Sequence, residues 1–219
     1  MQFLVDGAAV DIDIEMVVVA GYTGVDRDAV MHHIDELAEI GVPPPPMVPM
    51  YWKFPPWLAM QAGEMVVVGE QSSGEAELLL VIDGDDIYVA LASDHTDRAA
   101  EAIDIALSKA ICPKMVSREA WRASSIGERW GELELHSCIA DGEGEVVYQS
   151  GPCSSLTPPL KLLAGLPFPR PRRFAMLTGT VPVRGEIRPS DHFTGELRDP
   201  KTGRTITLDY RIRHLGGQA

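Results

Sequence analysis

Apolar and polar positions change their period several times along the chain, and those changes divide it into elements. Residues 3–20 alternate short apolar runs with Asp and Gly, and "MVVVAGY" at residues 16–22 then reads as a strand. In "DRDAVMHHIDELAEIG", Val30, Ile34, Leu37 and Ile40 recur at helical spacing; Asp26 or Asp28 can cap the start and Gly41 stops it. The prolines of "VPPPPMVPMYWKFPPW" force extended backbone and exclude helix, while Met47, Tyr51, Trp52 and Trp57 give that arm surface to pack.

From Glu64 the period shortens. "EMVVVGE", "AELLLVIDGDD" and "DIYVALAS" predict strands, with a tight turn at Asp83-Gly84. "DHTDRAAEAIDIALSKA" predicts a helix opened by Thr96, followed by a polar connection that contains Trp121 and Trp130. "GELELHSCIAD" and "GEVVYQSG" predict a hairpin around Gly142 to Gly144, and "LTPPLKLLAGL" a short helix. After the basic loop "PFPRPRRF" come three more strands: "FAMLTGT", "HFTGELRDP" and "RTITLDYRIRHL", the last two joined at Pro200 to Gly203. Irregularly spaced strands with two substantial helices predict a single α+β domain, mainly β, over residues 1–219.

Composition narrows the function classes. Nineteen Lys and Arg against 32 Asp and Glu give a net charge of −13, which argues against nucleic acid or an anionic membrane as partner. Three cysteines without metal-type spacing argue against a disulfide framework and fit a reducing cytoplasm. No basic flank precedes a long apolar run, so neither a signal peptide nor a membrane anchor is expected.

Candidate chemistry begins at "SSGEAELLLVI". Glu75 and Glu77 stand two apart on a predicted strand, so both carboxylates share one face, and Asp94 follows the next strand. Like charges so close need a cation, a proton or an arginine between them. Three carboxylates suit Mg²⁺ or Mn²⁺, and zinc is disfavoured because no His or Cys joins them. A strand face with scattered acids accounts for the same spacing. His33 and Glu36 are three apart on the first helix, where a carboxylate can orient an imidazole as a general base; His32 and Glu36 can pair equally well, and a solvated helix face is the plain alternative. Gly24 and Gly41 flank that helix, as would suit a lid formed with the proline arm over residues 21–58. Arg98 and Lys109 are eleven residues apart, close to three helical turns, and would project from one helix face toward an anion or as ordinary surface charge. Thr178, Gly179 and Thr180 end a strand in a form that can hold a small anion. Phosphate-loop, dinucleotide and serine-hydrolase fingerprints are absent.

The order of these signals resembles the fumarylacetoacetate hydrolase superfamily from about Gly21 onward. Tyr22 precedes "HIDE" at His33 to Glu36; "PMYWKFPP" echoes an aromatic-x-Lys-Pro segment at Lys53; "EAELLLVI" matches ExE before an apolar strand. "SDHTDR" then matches Asn-Asp-x-Thr-x-Arg with Lys109 beyond it, and "TGTV" and "PSD", ending at Asp191, follow in the family's order. The resemblance implies a rolled β-sandwich, Mg²⁺ or Mn²⁺ on Glu75, Glu77 and Asp94, and a His33–Glu36 acid/base dyad on a lid. It places Arg98, Lys53 and Thr180 at the substrate, Lys109 in catalysis, and implies a homodimer. The implied activity is hydrolysis of a C–C bond in a 2-oxo, 1,3-dicarbonyl carboxylic acid. Decarboxylation, dehydration or hydration of a related acid, and metal or acid binding without turnover, are the alternatives. The chain departs from the family pattern at Ser93 and Ser190, in a longer Tyr22–His33 interval, and in a shorter one from Glu77 to Asp94.

Overall fold

The computed structural model describes residues 1–39, 41–140 and 144–216, so Ile40 and the central residues of the hairpin turn at 142–143 lie outside the described residues. The chain opens with a hairpin, β1 (Gln2–Val5) and β2 (Ala8–Asp11). Asp6 and Gly7 turn it with φ of 51° and 82°, the sign a two-residue hairpin turn demands. The apolar run at residue 16 becomes β3 (Val17–Gly21), and the helical pattern becomes α1 (Arg27–Glu39). Asp26 Oδ1 accepts from the N–H groups of Asp28 and Ala29, and Gly41, at φ 95°, ends the helix. The buried residues of α1 are Val30 and Ile34, so the helix rides on the surface. The proline segment forms no helix as far as Pro49 but bends at residues 46–49, and a short 3-10 helix at Pro56–Leu58 departs from the expectation that the prolines exclude helix. β4 (Met50–Phe54) then pairs antiparallel with β3, which builds the second half of the predicted arm into the sheet.

β5 (Ala59–Met60), β6 (Glu64–Val68) and β7 (Ser72–Ser73) lead to the hairpin of β8 (Ala76–Asp83) and β9 (Asp86–Ser93), turned at Gly84 as the pattern predicts. The helix predicted from Asp94 is a different object. Thr96 and Asp97 form β10, paired with β7, and the helical part splits into α2 (Arg98–Glu101) and α3 (Ile105–Ala110). Asp97 caps α2 by accepting from Ala100 N–H, and Asp104 caps α3 by accepting from Leu107 N–H. Two strong N-cap residues seven apart start two helices, and Thr96 is not a cap. Arg98 and Lys109 therefore do not share one helix face.

The predicted polar connection also contains an element: β11 (Lys114–Arg122), a nine-residue strand inside the large sheet. Its register slips between Val116 and Ala120, and the bulge turns Arg118 and Glu119 out to solvent, which hides the strand's alternation in the sequence. Trp121 and Trp130 are buried core residues, whereas Trp57 is 70% exposed. β12 (Glu134–Ala140), β13 (Glu145–Pro152), α4 (Pro159–Ala164), β14 (Arg173–Thr180), β15 (His192–Asp199) and β16 (Arg204–Leu215) complete the chain.

Among the described residues the strands form two main sheets. One runs β2-β1-β11-β9-β8-β14-β3-β4, with β5 attached to β11; the other runs β13-β12-β15-β16-β6. The space between them is filled by Leu78, Leu80, Val89 and Leu91 from the large sheet against Leu135, Phe193, Leu197 and Tyr210 from the small one. On the other face of the large sheet, Leu79, Val81, Ala90 and Ala92 pack with Phe3 and Val5 from one end of that sheet and Val17, Val19 and Phe54 from the other. The sheet rolls upon itself: β4 ends one edge at Phe54, yet β5, from Ala59, already pairs with β11 toward the other edge. β8 is consequently covered on both faces, which is why its sequence is an unbroken apolar run. The result is a mainly β, α+β fold with the rolled sandwich expected. Cys112, Cys138 and Cys153 are free thiols, and no helix among the described residues is long and apolar enough to cross a membrane.

Candidate metal centre

The head of β8 and the tail of β9 meet at one end of the rolled sheet, and this juxtaposition builds the centre. Ala76 pairs with Ser93 and Glu77 with Ala92, so Glu75 and Asp94 are the next residues along the two strands. Asp94 N–H donates to Glu75 C=O and locks that step. One carboxylate oxygen each from Glu75, Glu77 and Asp94 lies within 4.8 Å of the others. Glu77 and Asp94 are buried; Glu75 is half-buried.

Glu77 Oε2 accepts from Gly179 N–H at 2.7 Å, the one backbone donor it has. Burial, with Asp94 and Glu75 beside it, pushes the Glu77 carboxyl well above the usual range, against the opposing pull of Lys109 and that N–H. Burial would raise Asp94 as well, but Lys109 and Lys114 override it and hold Asp94 well below. Lys109 Nζ donates to Asp94 Oδ2. Lys114 Nζ forms an ion pair with Oδ1 at 2.9 Å and also donates to the His95 carbonyl. Both oxygens of the buried Asp94 carboxylate thus face a lysine ammonium. Arg98 sits 3.2 Å from Glu75, donates to Glu101 at 2.8 Å and to Ser73 Oγ at 2.7 Å.

A divalent cation fits this donor set. Three hard carboxylate oxygens converge, and two of the three carboxylates are buried.

The backbone around the cluster is fixed by a polar chain that the sequence reading did not find. His95 lies between Ser72 Oγ at 2.9 Å and Tyr210 Oη at 3.1 Å; Tyr210 donates to Ser93 Oγ at 2.8 Å, which accepts from Glu75 N–H. Burial, then Lys114 and Arg98, pull His95 down from 6.5 to about 3. As acid is added, the unfolded chain protonates at this residue first, so its contribution to stability is intact above pH 6.5 and is lost downward toward about pH 3. Glu77 acts with the opposite sign above its unfolded value of 4.5, so the comparison must be differential. We expect wild type to lose about 1.4 kcal/mol per pH unit more than His95→Gln between roughly pH 6 and 4, as read from urea midpoints. Parallel profiles would show that His95 is not held neutral.

The other predicted residues divide. Lys109 and Arg98 reach the cluster, from separate helices and through different carboxylates. Thr180 stands beside it in register with Glu77, but its hydroxyl donates to Ala76 C=O and accepts from Gln149. Lys53 does not reach it: side chains alternate along β4, so Lys53 points outward over the Phe168 ring at 4.9 Å, and its neighbour Trp52 faces Lys109 at 5.9 Å. His33 and Glu36 approach to 3.7 Å, but both are about 60% exposed and Glu36 is closer to His32, at 3.3 Å. The Tyr22 ring stands between His33 (6.2 Å) and Trp52 (6.3 Å). Asp191 is on the surface, opposite His214. Lys114 was missed altogether; a lysine flanked by "ICP" and "MV" was its only signal.

Solved structures share this architecture. A candidate fumarylpyruvate hydrolase from Burkholderia cenocepacia is 15% identical over 100% of this chain and 95% of its own, with a TM-score of 0.67. A candidate fumarylacetoacetate isomerase/hydrolase from Oleispira antarctica is 17% identical over 97% and 99%, with a TM-score of 0.69. A 2-keto-3-deoxy-D-arabinonate dehydratase complexed with magnesium and 2,5-dioxopentanoate is 16% identical over 93% of this chain and 74% of its own, at 0.65. The chain thus has the fumarylacetoacetate hydrolase fold. No curated protein sequence matches it. The family model described as "Protein of unknown function (DUF2848)" matches residues 20–210, nearly the whole length, and the chain belongs to that family.

Proposed function

We propose that this protein is an enzyme that uses Mg²⁺ or Mn²⁺, held by Glu75, Glu77 and Asp94, to hydrolyse a C–C bond in a 2-oxo, 1,3-dicarbonyl carboxylic acid. The observation that carries the reading is the convergence of three carboxylates, two of them buried, with one oxygen of each within 4.8 Å of the others. Bound there, the cation would orient the acid's carboxylate and keto oxygens and favour enolate character. Arg98 and Lys109 add positive charge for the substrate anion, and Lys109 can return a proton to the departing carbon. Thr180 holds the strand end beside Glu77, since its own proton is committed to Ala76. Lys53 takes no part.

His33, oriented by Glu36, takes the proton of the attacking water when α1 closes over Tyr22. His33→Ala is expected to leave Mn²⁺ affinity unchanged and to lower turnover by about a hundredfold. Turnover at the parent rate would remove the dyad. A second reading, dehydration of a sugar-derived 2-oxo acid, is favoured by the likeness to the arabinonate dehydratase. Assaying acylpyruvates beside 2-keto-3-deoxy acids, and identifying the products, separates the two. The same proposal has the enzyme act as a cytoplasmic homodimer, which a light-scattering mass of twice 23.9 kDa would support.

A further inference from the structure

Ala76 stands between the two glutamates of the cluster, and side chains from outside its own hairpin hold its backbone. Asp94 N–H donates to Glu75 C=O, so the Glu75 backbone faces β9. Backbone groups alternate in direction along a strand, and those of Ala76 therefore face β14. The ladder between β8 and β14 opens at this point. One extra residue enters β14 between Leu177 and Thr180, and the Gly179 N–H is turned to the Glu77 carboxylate.

Gln149, on β13 of the opposite sheet and wholly buried, fills the opening. Its Oε1 accepts from Ala76 N–H at 2.8 Å, and its Nε2 donates to Val181 C=O at 2.8 Å. The side-chain amide thus bridges the two strands as a peptide group would. Nε2 also donates to Thr180 Oγ1 at 2.6 Å, and that hydroxyl donates to Ala76 C=O at 2.7 Å. Ser137 Oγ, on β12, donates to the same Oε1 at 2.9 Å. Both acceptor positions and both donors of the amide are used, so it has one orientation. Gln149 and Thr180 together grip both backbone groups of Ala76.

We propose that Gln149 is a positioning residue of the centre: through Ala76 and Thr180 it fixes the stride from Glu75 to Glu77. The fixed stride makes the site select the smaller ions, Mg²⁺ and Mn²⁺, against Ca²⁺. Mg²⁺ takes its oxygens at about 2.0–2.1 Å in near-ideal octahedral geometry, whereas Ca²⁺ takes more of them, at roughly 2.3–2.6 Å, and tolerates irregular sites. A clamped Ala76 keeps the two carboxylates from spreading around the larger ion. Gly179 N–H on Glu77 and Arg98 on Glu75 restrain the side chains beyond the backbone step. The inference rests on the reading of Glu75, Glu77 and Asp94 as a cation site.

Calorimetric titration of metal-stripped wild type, Gln149→Met and Ser137→Ala, with Mn²⁺ and separately with Ca²⁺, tests it. Gln149→Met keeps the length of the side chain and removes the amide. It should bind Mn²⁺ roughly tenfold more weakly than wild type and Ca²⁺ with a smaller loss, so the ratio of the two affinities falls. Ser137→Ala cuts only the bond from β12 to the amide; its urea midpoint should drop while the ratio stays at the wild-type value. Equal losses for both ions in Gln149→Met would make Gln149 a residue of the fold alone, overturning the inference and leaving the cation site standing. A ratio that falls as far in Ser137→Ala overturns it as well. If Gln149→Met does not fold, Thr180→Val, which releases the Ala76 carbonyl, takes its place and must lower the ratio. Failure of wild type to bind either ion removes the cation site itself, and the inference with it.

Discussion

Glu77→Gln is expected to weaken Mn²⁺ binding by at least about a hundredfold, a larger loss than removing a supporting residue around a metal typically brings, and to take cation-dependent turnover with it. The substitution keeps the shape of the side chain and an oxygen for Gly179 N–H, so the lost negative charge is what the experiment reads. Its effect on the fold should be opposite in sign. Burial and the neighbouring Asp94 make an ionised Glu77 unfavourable in the metal-free protein, and a neutral amide relieves that penalty. Metal-free Glu77→Gln should therefore be as stable as wild type, or more stable by about 1 kcal/mol. A structural ion-pair cluster predicts otherwise, because removing one partner of a buried pair costs about 3–5 kcal/mol. Calorimetry with Mn²⁺ and denaturation in EDTA separate the cases. Unchanged Mn²⁺ affinity together with a large loss of stability would make Glu77 a scaffold residue.

The parts of this site that were legible in the sequence lie on regular elements. Glu75 and Glu77 precede an apolar run whose period-2 geometry fixes their common side, and a one-turn hairpin brings Asp94 back to them. Lys109 and Arg98 were found for a reason that the fold does not honour. A continuous helix would have aligned them, yet Asp97 and Asp104 break it, and each cation arrives by its own route. Lys114 and His95 were not legible because their significance depends on burial. Each is one polar residue in an ordinary stretch until β11 and β16 close over it and bring Asp94 and Tyr210 within reach. Lys53 shows the converse. The family-like segment around it is present, but the pleat of β4 turns Trp52 toward Lys109 and Lys53 away. The overall fold was readable wherever apolar runs were unbroken. It was not at β11, where a bulge exposes two charged residues in the middle of a sheet strand.

Gly179→Ala should be the most damaging single methyl group near the site. Gly179 lies where the β14–β8 register shifts, at φ +99°, a conformation that costs a side-chain-bearing residue about 1–3 kcal/mol. A Cβ there would stand 1.8 Å from Thr23 Oγ1, far inside contact distance, and Thr23 is buried, so it cannot simply turn away. Overpacking adds about 1–3 kcal/mol more, for a total near 4 kcal/mol in urea unfolding. The two costs can be told apart. Thr23→Ala removes the overlapping hydroxyl but leaves the backbone strain, so the double variant should recover about 1–3 kcal/mol relative to the sum of the single ones. Its remaining deficit reports the positive φ together with the 3.1 Å contact to the Cβ of residue 23. The Gly179 N–H is also the backbone donor to Glu77, so the folded fraction of Gly179→Ala should hold Mn²⁺ more weakly, and the double variant should recover part of that affinity along with its stability. A Gly179→Ala protein with a normal urea midpoint would mean that Thr23 is not packed against this strand end. If stability returned in the double variant without cation affinity, the Gly179 N–H would have no part in holding Glu77 for the ion.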